Sequence, residues 1–118
     1  MKLVTAIVRP EKLDELIPAL IDHGVRGLTV TDFRGFGQQY GRLAGAASRV
    51  AGRPGEHMAV LLAKVRLDLV TLDDDAEAVV EVIAKHARTE AIGDGKIWVT
   101  PVDNALRVRT GERDRAAV

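Results

Sequence analysis

The sequence contains no cysteine, which excludes disulfide staples and thiolate chemistry. Aromatic residues make up only 3% of it, one Trp, one Tyr and two Phe, so its core must be aliphatic. A surface that stacks nucleobases is hard to build from so few rings. Neither charge is in excess: 17 Lys and Arg balance 17 Asp and Glu, for a formal net charge of +0. Dedicated nucleic-acid and membrane-surface proteins take their affinity from excess positive charge, so both classes are disfavoured. No apolar run is long enough to span a bilayer. Met1-Lys2 leads straight into an apolar-rich strand with no cleavage pattern behind it, so a soluble cytoplasmic protein is expected. A length of 118 residues suits one domain, spanning 1–118.

What is present is periodic. Leu3 to Val8 reads as a buried strand closed by Pro10. Leu13, Leu16, Ile17, Leu20 and Ile21 recur at helical spacing, with Gly24 as the expected C-cap. Pro18 falls inside this helix and should cost stability or kink it. Leu28 to Phe33 alternates as a second strand with one wet face. From Gly35 to about Glu56 periodicity is lost and glycines punctuate small and polar residues. A loop of this length, at about 37–57, is uncommon in a compact domain unless it is functional or disordered. Ala46 to Val50 is at most a helical turn formed on binding. Val60 to Leu72 is a third strand, in which Val65, Leu67 and Leu69 alternate with Lys64, Arg66 and Asp68. Asp73 to Asp75 supplies an N-cap and an acidic first turn for a second helix. That helix is marked by Val79, Val80, Ile83, Ala84 and Ala87. Ile97 to Val99 makes a fourth strand and Leu106 to Arg109 a short fifth. This order predicts an α+β, ferredoxin-like split βαβ fold, βαββαβ plus the short C-terminal strand. Its antiparallel sheet carries both helices on one face, and oligomerisation is expected to cover the other.

Two segments near the C-terminus suggest chemistry. Gly93-Asp94-Gly95-Lys96 is a glycine-rich turn whose backbone N–H groups and lysine suit an oxyanion. It is not a Walker A loop, because Glu90 and Ile97 occupy the positions of the first glycine and the Ser/Thr. Taken alone it reads as a turn feeding a strand. Arg107 and Arg109 alternate with Leu106 and Val108, which on a strand puts both guanidiniums on one face, roughly 7 Å apart. A solvated edge strand would look the same. Gly35-Phe36-Gly37 permits close backbone approach to a ligand, or equally a hinge. His23 sits at a helix C-terminus, His86 on a helix surface and His57 at the end of the loop. None has metal-site spacing, and no nucleophile elbow or catalytic acid pair is present.

These segments together resemble the PII family of nitrogen-regulatory signalling proteins. The match runs through Lys2 to Pro10, Gly27 to Thr31, Arg34 to Gln39, Lys64 to Val70, Ile92 to Val99 and Val108 to Glu112, in order and at matching spacing. The resemblance implies a homotrimer that binds ATP or ADP in clefts between subunits and catalyses nothing itself. It places Ile7, Thr29 and Val70 in the adenine pocket, Gly35, Gly37 and Gln38 along the nucleotide, and Gly93, Asp94, Gly95 and Lys96 at the phosphates. Arg107 and Arg109 would reach over from the neighbouring subunit. It further implies sensing of 2-oxoglutarate through Mg-ATP, with Gln39 ligating Mg²⁺ and Lys64 pairing with a ligand carboxylate. The long segment corresponds to the family's T-loop, which docks on a protein target; Tyr40, Arg42, Arg49 and Arg53 would serve that contact. Nucleic acid and direct membrane insertion are not expected partners.

The T-loop is also where the sequence departs from the family. It is about six residues longer than usual. Gln38 and Tyr40 replace the Arg and Lys that usually flank the glutamine, which weakens a γ-phosphate contact and with it the preference for ATP over ADP. His57 stands where many members carry a uridylylated tyrosine, so that control is not expected. Arg49 and Arg53 are the candidates for the arginine that plugs an ammonium channel in some relatives. An atypical sensor of bicarbonate or a cyclic nucleotide is the variant reading. A small ferredoxin-like ATP-hydrolysing enzyme and an RNA-binding module are the rivals from other classes. The first lacks a catalytic motif, and the second lacks strand aromatics and a basic face.

Overall fold

The computed structural model describes residues 1–37, 47–49 and 60–118. Seven main elements follow one another: β1 Lys2–Val8, α1 Leu13–His23, β2 Thr29–Gly35, β3 Ala47–Arg49, β4 Val60–Thr71, α2 Ala76–Ala87 and β5 Lys96–Pro101. The sheet order is β2-β4-β1-β5, antiparallel throughout, with β3 paired to β4 off this path. This is the expected ferredoxin-like arrangement, and its registers explain the alternation in the sequence. Val4, Ala6 and Val8 lie opposite Leu69, Leu67 and Val65. All six are buried and meet Leu16 and Leu20 of α1 and Val79, Ile83 and Ala87 of α2. Burying each large aliphatic side chain contributes about 1.5–3 kcal/mol. Ile7, Lys64, Arg66, Asp68 and Val70 alternate with these core residues along β1 and β4 and so occupy the other, helix-free face.

α1 runs unbroken through Pro18. The proline and Asp14, whose carbonyl loses its helical partner, are both on the exposed side of the helix, where the loss is least costly. Gly24 ends the helix at φ 105°, and its N–H reaches the Ile21 carbonyl at 2.9 Å. Ile21, placed on the apolar face by its spacing, is 60% exposed, and Ala84 of α2 is exposed as well. The buried stripes are narrower than the periodicity suggests because each helix packs on the sheet and on the other helix along one edge.

Three local expectations change. Asp73–Asp75 is a 3₁₀ turn before α2 and gives no side-chain cap. Its carboxylates have other partners: Asp73 accepts from the N-terminal amine at 3.0 Å, and Asp75 lies 3.1 Å from His23. Ala47–Arg49 is extended, not a helical turn, and pairs with Val60–Leu62. Leu62 also pairs with Gly35, so β3 lies on the edge of β4 that β1 occupies further along. Leu106 to Arg109 is not a strand. Leu106 forms a single bridge with Arg113, and Gly111, at φ 74°, turns the chain back between them. Arg107 N–H donates to Glu112 O at 2.9 Å and Gly111 N–H to Arg107 O at 2.8 Å, so this segment satisfies its own backbone instead of extending the sheet.

Candidate functional site

At one end of the helix-free face, Ile7 of β1, Phe33 and Gly35 of β2, Lys64 of β4 and the Ile92–Lys96 turn enclose a cleft of about 510 Å³. Phe36 and Gly37 close its rim. Six of the residues expected to hold a nucleotide meet here: Ile7, Gly35, Gly37, Gly93, Gly95 and Lys96. Lys64, expected to meet a carboxylate ligand, joins them. Phe33, Phe36 and Ile92 also line it, although the sequence assigns none of these side chains a binding role. Phe36, between two glycines, is 62% exposed and Ile92 is 64% exposed, so both leave apolar side chains in water at the cleft.

The turn is held tightly. Gly93 and Gly95 both adopt left-handed backbones, at φ 104° and 100°. A Cβ on Gly95 would sit 1.7 Å from the Ile7 carbonyl oxygen, so the turn rests directly on β1. The Gly93 and Gly95 N–H groups donate to no loop or turn carbonyl among the described residues. Lys96 is exposed and forms no ion pair among the described residues, which leaves a positive charge beside the turn. Lys64 donates from Nζ to Gly93 O at 2.6 Å. Burial, and then the charge of Arg9, lower the Lys64 pKa.

The Asp94 carboxylate has a structural use. It accepts from Arg9 Nε at 3.1 Å, from Thr89 N–H at 2.7 Å and from the Thr89 hydroxyl. Burial alone would raise its pKa, but bonds from Thr89, Arg9 and the Glu90 N–H hold it far below the usual carboxylate range. A depressed pKa means stability that is present above the unfolded value, about 4, and lost as pH falls through the folded value. Asp94→Asn should therefore cost about 1.5–3 kcal/mol at pH 7. The gap to the unsubstituted protein should narrow as pH drops below about 4. Urea unfolding across pH checks this; a gap constant with pH would show that the carboxylate charge is not what holds the turn.

The remaining expected residues lie elsewhere. Thr29, Val70 and Arg107 line a second groove of about 580 Å³, together with Leu3, Asp68 and Leu106. Ile7 and Leu3 are four residues apart on β1, about 13 Å, so the two depressions sit at opposite ends of the same face. Arg107 is paired with Glu112, whose pKa is lowered first by the Thr110 hydroxyl and then by the Arg107 charge. Arg109 is exposed on the turn that follows. The two arginines therefore do not form the strand-face pair that their spacing suggests. Gln38, Gln39, Tyr40, Arg42, Arg53 and His57 lie outside the described residues, and Arg49 is placed only by its register opposite Val60.

A glycine-rich turn whose Gly93 and Gly95 N–H groups meet no loop or turn carbonyl among the described residues, with two lysines and an apolar rim, suits an anionic ligand with a flat apolar part. The family model described as Nitrogen regulatory protein P-II matches residues 1–112. The chain is 44% identical to the nitrogen regulatory protein P-II of Cereibacter sphaeroides over 118 residues, covering 100% of both chains. It is 42% identical to the nitrogen regulatory protein P-II of Synechocystis sp. and to the nitrogen regulatory protein GlnK of Escherichia coli K12, with the same coverage. The chain belongs to the P-II family of nitrogen regulatory proteins.

Proposed function

We propose that this protein is a cytoplasmic, trimeric adenine-nucleotide sensor that controls a partner protein through its long loop and has no catalytic activity of its own. The observation that carries the reading is the division of the expected nucleotide residues between two half-sites. Ile7, Gly35, Gly37, Gly93, Gly95 and Lys96 surround one cleft, whereas Thr29, Val70 and Arg107 surround another at the far end of the same face. A complete site needs both. Packing copies head to tail through this face joins one end of each copy to the opposite end of the next. Such a heterologous contact closes into a ring, and three copies then make three equal clefts. The phosphates lie at the Gly93–Lys96 turn, and Thr29, Val70, Arg107 and Arg109 come from the neighbour.

In this reading Mg²⁺ accompanies ATP through Gln39, and 2-oxoglutarate binds beside it with a carboxylate on Lys64. The loop begins at Gly37, on the cleft rim, so ligands that contact this rim differently select different loop conformations. Titration calorimetry of ATP with Mg²⁺, with and without 2-oxoglutarate, tests the reading. ATP should bind at one site per subunit, and more tightly when 2-oxoglutarate is present, because coupling is reciprocal. ATP binding with no response to 2-oxoglutarate would keep the nucleotide site and remove the second ligand. An absence of nucleotide binding would reduce the turn and both arginines to structural parts.

A further inference from the structure

The anion-binding turn has to present N–H groups to its ligand, so its carbonyls must point elsewhere and find other donors. Two cations meet this need at successive residues. Arg9 Nη2 donates to Ile92 O at 2.8 Å, and Lys64 Nζ donates to Gly93 O at 2.6 Å. A trans peptide directs its N–H opposite to its C=O, so fixing the Ile92 carbonyl on Arg9 turns the Gly93 N–H to the other side. With its Nε, Arg9 also binds the Asp94 carboxylate at 3.1 Å. Thr89, just beyond the end of α2, binds the same carboxylate through its N–H at 2.7 Å and through its hydroxyl. Arg9 directly follows β1, and its side chain is only 14% exposed. Its planar fork thus spans two acceptors in a turn 83 to 85 residues away.

We propose that Arg9 is a positioning residue for the ligand's phosphates, which it does not itself touch: it orients the Gly93–Lys96 turn by holding the Ile92 carbonyl and the Asp94 carboxylate together. This inference rests on the nucleotide reading above. Without the fork, the peptide between Ile92 and Gly93 is free to rotate, because glycine tolerates both orientations. The N–H groups then meet the phosphates only after reordering, and affinity falls by the fraction of time the turn spends misoriented.

The test compares ligands with and without phosphates on the whole protein, well below its unfolding temperature. ATP and ADP are titrated calorimetrically and adenosine by NMR, for the unsubstituted protein, Arg9→Met, Arg9→Lys and a surface control, Lys85→Gln. Arg9→Met should weaken ATP and ADP about tenfold or more and leave adenosine within twofold. Arg9→Lys, whose single ammonium cannot span both acceptors, should recover only a minor part of the loss, and Lys85→Gln should change nothing. The ligand-free NMR spectrum of Arg9→Met should also show shifted Gly93 and Gly95 amides. If Arg9→Met does not fold, Thr89→Ala, which removes one of the other bonds to Asp94, should weaken ATP severalfold with adenosine unchanged. Unchanged ATP affinity in Arg9→Met, or in Thr89→Ala where it stands in, would overturn the proposal while leaving the nucleotide site intact. An equal loss for ATP and adenosine would overturn it too, since that is the mark of general destabilisation. If the unsubstituted protein binds no ATP, the nucleotide reading falls and this inference falls with it.

Discussion

Gly95→Ala is expected to lower the unfolding free energy by about 2–5 kcal/mol and to abolish binding at the turn. Two costs add. The residue sits at φ 100°, where a side chain costs about 1–2 kcal/mol. The new Cβ also lands 1.7 Å from the Ile7 carbonyl oxygen and 2.7 Å from its carbon. Both are backbone atoms of a strand paired on each side, with β4 and β5, so they cannot move aside as a flexible side chain would. Either the turn lifts off β1 or the β1–β5 ladder opens at Ile7 and Lys96, at a cost of about 1–3 kcal/mol. A fall of roughly 10 °C or more in Tm is the expected readout. Gly24→Ala makes a useful comparison, because its Cβ meets nothing within 4 Å and it carries only the backbone penalty. If the two substitutions cost the same, the close approach of the turn to β1 contributes nothing to stability.

Lys96→Ala and Arg109→Ala should each weaken ATP by about 10- to 100-fold, the worth of one charge-assisted hydrogen bond of about 1.5–3 kcal/mol. Both side chains are exposed and form no ion pair among the described residues, so removing either leaves no buried charge behind. Stability and oligomeric state should therefore stay within experimental error. Arg107→Ala is a less clean probe, because it also frees Glu112. Arg109 carries the sharper test, because the proposed head-to-tail arrangement would bring it to the cleft of a neighbouring copy. In mixed oligomers that also contain Lys96→Ala subunits, some clefts should lose both charges and others neither. Calorimetry should then resolve a minority of sites with full affinity. A single uniform affinity in the mixture would place both residues in the same copy's cleft.

Much of the fold was legible because it depends on local periodicity. The alternation of Val65, Leu67 and Leu69 with Lys64, Arg66 and Asp68 marks a strand with one buried face whatever lies beside it. The spacing of Leu16 and Leu20, and of Val79 and Ile83, does the same for the helices. Errors arose where a pattern depended on a partner. Leu106 to Arg109 alternates like a strand, but Gly111 turns it onto Arg113 before it reaches the sheet. Ala47–Arg49 lacks strand residues and is extended because the start of β4 offers it an open edge. Ile21 and Ala84 lie at the margins of apolar stripes whose width is set by packing, not spacing.

The candidate site divides in the same way. The sequence by itself determined the chemistry of the turn, since two glycines, an aspartate and a lysine in a row specify a tight backbone and a cation without reference to any other segment. It also determined the family, through the order and spacing of short segments along the whole chain. Only the tertiary structure decided that Lys64 and Arg9 hold the turn's carbonyls, that Asp94 faces Arg9, and that Thr29 and Val70 stand apart from Ile7. The physical reason is range. Backbone preference and amphipathic spacing act between residues a few positions apart, whereas these contacts join residues tens of positions apart through the register of a sheet, which no single segment encodes.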